Sequence, residues 1–183
     1  VAETASKLQR AGVESYTVSL LHAYARPGEE HAVAAIIREV DPNAYVTCSV
    51  DVCPEFREYE RTSTAVVNAA VMPLVDAYLN NLETRLAEKG YIRHLYIMQS
   101  SGGMMTAAQI RRQPVNIIES GPAAGVVACH AIGQLLGRDN LLSFDMGGTT
   151  AKAALIHEGR IEMSTEYEVG STAHGAQGGG GYG

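Results

Sequence analysis

Leu141-Leu142-Ser143-Phe144-Asp145-Met146-Gly147-Gly148-Thr149-Thr150-Ala151-Lys152 is an apolar run that ends in a carboxylate, then paired glycines and paired threonines. The run predicts a buried strand with Asp145 at its end, and Asp-x-Gly-Gly-Thr-Thr has the composition of a phosphate loop. Glycines take backbone angles that other residues avoid and let amide N–H groups approach an anion, while threonine hydroxyls add donors. Ala151 to Ile156 is a second apolar segment, His157-Glu158-Gly159-Arg160 reads as a turn, and a third segment begins at Ile161. There Ile161, Met163, Thr165, Tyr167 and Val169 alternate with Glu162, Ser164, Glu166 and Glu168, the period of a strand with one covered face. The loop is therefore expected to join two strands of a meander. A bare Gly-Gly hairpin turn is the simpler reading of the same residues.

The composition sets outer bounds. With 183 residues and 46% hydrophobic content, the chain can bury a core in one large or two small domains. A net charge of -6 and the lack of clustered Lys and Arg argue against a nucleic-acid surface. No apolar run approaches the roughly 20 residues of a membrane span, and the start at Val1 lacks a signal-peptide pattern. These features predict a soluble, cytoplasmic protein, excised from a longer one. Cys48, Cys53 and Cys129 give neither an even framework nor a CxxC pair, which predicts reduced thiols. His22, His31, His94, His130, His157 and His174 form neither HxH nor HExxH and read as surface or packing residues.

Taken in order, the chain alternates helices and strands. A helix is expected from Ala2 to Gly12, a strand from Tyr16 to Leu21, a turn at Pro27-Gly28, a helix from Glu29 to Val40 and a strand from Tyr45 to Val50. The charged run Glu55-Phe56-Arg57-Glu58-Tyr59-Glu60-Arg61 reads as a solvated or salt-bridged face. From Thr62 to Lys89 the spacing of Val67, Val71, Leu74, Tyr78 and Leu82 predicts one face of a long helix, kinked or divided at Pro73 and ended by Gly90. Tyr91 to Met98 is expected as a strand, and the loop Gln99-Ser100-Ser101-Gly102-Gly103 after it is either a ligand-binding loop or an ordinary connection. A short helix from Thr106 to Arg112 and a strand from Val115 to Ile118 follow. The next helix is capped by Ser120 or Gly121, with Pro122 near its first position and an apolar face of Ala124, Val127, Ala128, Ala131, Ile132, Leu135 and Leu136. Its small residues permit close approach to another backbone, and its positive end can face an anion. From Gly175 to Gly183 the glycine-rich sequence has high chain entropy and little to bury.

Phosphate loops that pass from strand into helix carry GxxxxGK[ST] or GxGxxG, and the loop after Asp145 has neither. Its strand-loop-strand form resembles the loops of the actin, sugar kinase and heat-shock ATPase superfamily. More specifically, Pro54-Glu55-Phe56-Arg57-Glu58-Tyr59-Glu60-Arg61-Thr62-Ser63-Thr64, Met98-Gln99-Ser100-Ser101-Gly102-Gly103, Glu119-Ser120-Gly121-Pro122-Ala123-Ala124-Gly125 and Phe144-Asp145-Met146-Gly147-Gly148-Thr149-Thr150, in that order, resemble the hydantoinase A/5-oxoprolinase family. The resemblance spans nearly the whole chain from Ser15 to the glycine-rich tail.

The resemblance implies an α/β protein of actin-like ATPase (ribonuclease H-like) architecture, with parts of the lobes only. Residues 1–60 would complete a preceding lobe, 61–137 would connect, and 138–183 would begin the second lobe. It implies an ATP-dependent enzyme that opens a hydantoin, oxoproline or lactam ring or carboxylates a ketone, with ATP and Mg²⁺ as cofactors and a B-type partner subunit or domain. The family's first phosphate loop lies outside this stretch, so the segment alone is expected to be inactive. Asp145 would hold Mg²⁺ or its water, and Gly147, Gly148, Thr149 and Thr150 would bind phosphates. Lys152 is either a phosphate contact or a solvent-facing residue, and Ser120 and Gly121 either border the site or only cap the helix. Many members read Asp-x-Gly-Gly-Thr-x-Thr-Asp, whereas Ala151 and Lys152 stand in the last two places here, which is more similar to the ketone carboxylase branch. From a different class, a non-enzymatic actin-like nucleotide-binding or assembly module would use the same loops as a switch.

Overall fold

Tyr16-Thr17-Val18 and Tyr45-Val46-Thr47 supply the β-branched and aromatic residues of two short strands, β1 (Ser15–Val18) and β2 (Tyr45–Cys48), which lie parallel with Ser15 opposite Tyr45 and Val18 opposite Cys48. Parallel strands need a crossover, and helix α2 (Pro27–Val40) provides it. The computed structural model describes residues 1–148 and 151–162. Pro27 starts α2 instead of forming a separate turn, because its fixed φ and missing N–H suit the first helical position. Helix α1 (Ala2–Arg10) packs on α2, and Ala5, Tyr16, Val18, Ala34, Ile37, Val46 and Cys48 form the core between them and the strands.

Both strands are shorter than expected, and the reason lies in a buried polar network. Helix α3 (Ser49–Val52), a single turn, begins where β2 was expected to continue. Ser49, Glu30 and Arg61 are fully buried. The Glu30 carboxylate accepts from the Leu20 N–H at 2.8 Å, the Ser49 hydroxyl at 2.7 Å and the Val50 N–H at 3.1 Å. Arg61 donates through Nε to Ser49 Oγ at 3.0 Å and through its terminal nitrogens to the carbonyls of Glu55 and Leu20, each at 2.7 Å. The backbone that leaves each strand is thus spent on side chains and not on a ladder. The charged run is therefore not wholly a solvated face: Arg61 at its end is interior, and its partners satisfy it as a buried charge requires.

Helix α4 (Glu58–Glu88) is 31 residues long and is not divided at Pro73. It buries Arg61, Ala65, Asn68, Ala69, Met72 and Leu79, whereas Leu74 and Tyr78 of the expected face are exposed. Alanines let α4 lie close on β1 and β2, and Asn68 is satisfied by Thr47, the Arg112 carbonyl and the Val115 N–H. Hydrophobic spacing alone cannot register small or hydrogen-bonded polar residues as a buried face.

Strands β3 (Tyr96–Met98) and β4 (Met104–Thr106) pair around the Gln99–Gly103 loop; β4 was not expected, and β3 starts later than Tyr91. Helix α5 (Ala107–Arg112) opens with a capping box between Thr106 and Gln109, and Ile110 and Ala107 close a second small core with Leu79. Pro114–Ile117 is a 3₁₀ turn and not a strand: Pro114 has no N–H to give to a ladder, and that of Val115 goes to Asn68.

The chain forms two compact units, Val1–Ile97 with Met105–Ile118, and Met98–Met104 with the segment from Glu119 onward. In the second, helix α6 (Ser120–Leu136) leads into β5 (Leu141–Met146), β6 (Ala151–His157) and β7 (Arg160–Ile161). These three strands form an antiparallel meander in sequence order, as the reading of the Asp145 stretch predicts. The expected continuation of the third strand from Met163 to Val169 and the glycine-rich end lie outside the described residues.

The face of α6 expected from spacing is not the one that packs. Ile132, Leu135 and Leu136 are exposed, and Gly133 is buried instead. A Cβ at Gly133 would collide with the Leu141 side chain and lie 2.9 Å from the Arg138 carbonyl, so glycine sets how near α6 comes to β5. His130 reaches the Gly159 carbonyl at 2.9 Å from the same side. Strand β5 is likewise covered on one face only, with Leu142, Phe144 and Met146 exposed on the other.

Candidate functional site

Asp145 and Lys152 are directly opposite each other in the β5–β6 ladder, one pair before the ladder ends at Met146 and Ala151. Alternation puts both on the sheet face that carries Leu141 and Ile156. Asp145 is exposed, and its carboxylate makes no hydrogen bond or ion pair among the described residues. Gly147 and Gly148 follow it, both exposed, with open space where a Gly148 side chain would stand. Thr149 and Thr150, also expected at the site, lie outside the described residues.

Lys152 does not point into solvent unpaired. Its ammonium forms an ion pair with the Glu119 carboxylate, and both side chains are partly covered. Glu119 precedes α6 with φ 64° and ψ 20°, left-handed backbone that costs a residue with a side chain roughly 1 kcal/mol. The helix cap is therefore Glu119, and neither Ser120 nor Gly121; Ser120 is the first helical residue, Pro122 the third, and no side chain caps the helix end. The first-turn N–H groups at Ser120 and Gly121 have no acceptor within a helix, so they are available to an anion.

Of the residues expected at the site, Asp145, Lys152, Ser120 and Gly121 are linked through Glu119, with Gly147 and Gly148 continuing from Asp145. Glu119 was missed as a partner, because an ion pair 33 residues apart in sequence leaves no local signal. The Gln99–Gly103 loop belongs to the same compact unit. It closes on itself through the Gln99 N–H and the Gly103 carbonyl at 2.8 Å, and Gly102, at φ 82°, leaves only 3.1 Å between a would-be Cβ and Val127 of α6. The arrangement offers a free carboxylate, a glycine turn, a cation held by a neighbouring carboxylate, and the positive end of a helix. That set suits an anion together with a hard cation.

The hydantoinase/oxoprolinase profile matches residues 61–180, and the profile of the hydantoinase/oxoprolinase N-terminal region matches residues 1–41. The chain is 33% identical over 154 residues to caprolactamase subunit alpha of Pseudomonas jessenii, which covers 84% of this chain and 22% of that subunit. It is 30% identical over 158 residues to 5-oxoprolinase of Saccharomyces cerevisiae, covering 85% of this chain and 12% of the yeast protein. Among solved structures, nucleotide-free acetone carboxylase matches with a TM-score of 0.73 at 30% identity, over 86% of this chain and 22% of the other. The crystal structure of ATP-dependent caprolactamase from P. jessenii matches with a TM-score of 0.75 at 32% identity, over 84% and 22%. The chain thus spans between 12% and 22% of the length of these relatives. With the first profile covering most of its residues and the second its beginning, the chain belongs to the hydantoinase/oxoprolinase family.

Proposed function

We propose that this chain supplies one wall of the nucleotide site in an ATP-dependent subunit of the hydantoinase/oxoprolinase type. The whole enzyme activates a cyclic amide (a hydantoin, oxoproline or lactam) for ring opening, or a ketone for carboxylation. The observation that carries this reading is Asp145, an exposed carboxylate without a partner among the described residues, at a strand end immediately before two glycines. Two relatives support it by name, an ATP-dependent caprolactamase and an enzyme of ATP-dependent acetone carboxylation. The reading includes actin-like, ribonuclease H-like lobes, with β5, β6 and β7 opening the second.

The residues present fit ATP and Mg²⁺. Hard carboxylate oxygen suits Mg²⁺, and Asp145 is free to take the ion or one of its waters. Gly147 and Gly148 would offer N–H groups to the phosphates, Thr149 and Thr150 their hydroxyls, and Ser120 and Gly121 the start of α6. Lys152 would share its charge between Glu119 and a phosphate oxygen on the sheet face it has in common with Asp145. Bound ATP supplies the phosphoryl group that activates a carbonyl or enol oxygen of the substrate. The contribution of this chain is positioning and charge neutralisation, the larger part of phosphoryl-transfer catalysis. Relatives named caprolactamase subunit alpha and acetone carboxylase beta subunit support a B-type partner subunit, in what would be a soluble, cytoplasmic enzyme. No helix among the described residues is long and apolar enough to cross a membrane.

The test is ATP consumption by the intact protein that contains this chain, assayed with oxoproline, hydantoins, lactams and ketones. Consumption that rises with one of these classes is the expected result. Nucleotide binding without any such dependence would refute the enzyme and favour an assembly module.

A further inference from the structure

Away from the β5–β6 loop, in the other compact unit, three chemically different ligand atoms converge at the carboxyl end of β2. His31 comes from α2, Cys48 is the last residue of β2, and Asp51 sits in the single turn of α3. His31 Nε2 lies 2.8 Å from Asp51 Oδ1, and these two atoms and Cys48 Sγ are all within 4.8 Å of one another. We propose that His31, Cys48 and Asp51 form a three-ligand site for one Zn²⁺ ion.

The ligand set selects the metal. One imidazole nitrogen, one sulfur and one carboxylate oxygen suit a borderline cation such as Zn²⁺, while Mg²⁺ and Ca²⁺ favour oxygen throughout. Zinc ligands at about 2.0 to 2.3 Å from the ion stand roughly 3.5 Å from each other in a tetrahedron. The His31–Asp51 pair must therefore open by about 0.7 Å, and no separation needs to close by more than about 1.3 Å. Both side chains are about half exposed and can make that adjustment, whereas Cys48 is buried and fixed by the core. Cys48 and Asp51 also line a cleft with Arg38, Tyr45 and Gln113, which leaves a path for the ion and room for a water ligand.

The electrostatic setting imposes a cost that the bound cation must offset. Burial, then the charges of Asp51 and Glu30, push the Cys48 thiol up to about 11, against the opposing influence of Arg38. Without metal the sulfur is a protonated thiol at neutral pH. On binding, the Sγ–H proton passes to solvent and an Sγ–metal bond replaces it; the Nε2–H proton that His31 gives to Asp51 also leaves through solvent, the imidazole carrying its proton on Nδ1, so that Nε2 and the Asp51 oxygen each bond the ion. A cation also balances two carboxylates gathered round a buried sulfur. Sequence spacing hides the set, since His31, Cys48 and Asp51 belong to three elements that only the parallel β1–α2–β2 crossover and the α3 turn bring together.

Metal-free chain is titrated with Co²⁺ and followed by absorption, with Zn²⁺ then added as competitor and the thermal midpoint recorded. The expected result is one equivalent of Co²⁺ with a thiolate-to-cobalt charge-transfer band, displacement by Zn²⁺, and a midpoint that rises with Zn²⁺ concentration. Cys48→Ser should abolish the band, and His31→Ala and Asp51→Asn should weaken binding by at least the roughly tenfold that loss of an outer-shell partner already causes. Cys53→Ser, which leaves the ligand set intact, should retain the band. If Cys48→Ser does not fold, the exposed His31→Ala decides. No band at millimolar Co²⁺, an unchanged affinity in His31→Ala, or loss of the band in Cys53→Ser would each overturn the site.

Discussion

Lys152 stands opposite Asp145 across the β5–β6 ladder but gives its ammonium to Glu119, the left-handed residue that starts α6. The ion pair and the backbone strain oppose each other at one position, and substitution separates them. Glu119→Ala removes the carboxylate and keeps a Cβ in left-handed backbone; Glu119→Gly removes the carboxylate and the strain together. Glu119→Ala should therefore be less stable than Glu119→Gly by about 1 kcal/mol. Urea unfolding of both variants measures the difference, and equal stability would mean that the left-handed conformation is not held in solution.

Gly133 tests how α6 meets β5. Alanine is the better helix former by up to about 1 kcal/mol, so propensity alone predicts that Gly133→Ala stabilises. The added Cβ would meet Leu141 and, at 2.9 Å, the Arg138 carbonyl, which as backbone cannot move aside cheaply. Overpacking of this kind costs about 1 to 3 kcal/mol, and it should win. A net loss that Leu141→Ala relieves in part, read from a double-mutant cycle, is the expected outcome.

Arg61 should be the least replaceable member of the charged run. Its removal leaves the buried Glu30 charge without the cation that reaches it through Ser49 and frees the carbonyls of Leu20 and Glu55, a loss comparable to the roughly 3 to 5 kcal/mol of a broken buried pair. Arg57→Ala, at an exposed position in the same run, should change stability far less. Denaturant midpoints of the two variants provide the comparison.

These sites also mark what the sequence could and could not reveal. The meander after Asp145 was legible because its signals are local: alternation, a glycine turn and two apolar segments. The short helix after Thr106 and the αβ alternation were legible for the same reason. The buried faces of α4 and α6 were not, since Ala65, Asn68 and Gly133 carry no hydrophobic signal and are interior because of what they touch. Arg61 looked like the other charges around it, and Glu119 acquires its partner only when β6 returns beside α6. Long-range pairs of polar groups leave no period along the chain, and here they set the strand ends and link the residues of the candidate site.

The Cys48 thiol gives the metal-free chain a defined alkaline sensitivity. Its value in the folded chain is raised to about 11 from an ordinary 9.0, mainly by burial. The neutral thiol is thus favoured by folding, so its contribution is fully present below about pH 9 and is lost as pH rises from there through about 11. Two units correspond to roughly 3 kcal/mol at most. Tyr16 and Tyr45 are raised as well and add to the slope, so the readout is the difference from Cys48→Ala. The variant should lose stability less steeply across that window, and parallel curves would show that the thiol titrates normally.

Asp145 decides the proposed function. Its carboxylate is exposed and has no partner among the described residues, so Asp145→Asn, which keeps the shape and removes the charge, should leave the fold and its stability nearly unchanged. In the intact enzyme the same change should lower ATP turnover by at least about a hundredfold, a barrier increase of roughly 2.7 kcal/mol, because it removes the charge proposed to hold Mg²⁺ or its water. Lys152→Met should cost less, since Glu119 already neutralises that cation in the absence of nucleotide. A plain hairpin turn predicts the reverse for Asp145, with a modest change in stability and almost none in turnover. Measuring both quantities on one purified variant separates the cases: wild-type turnover would remove Asp145 from the metal site, and loss of the fold would make it structural.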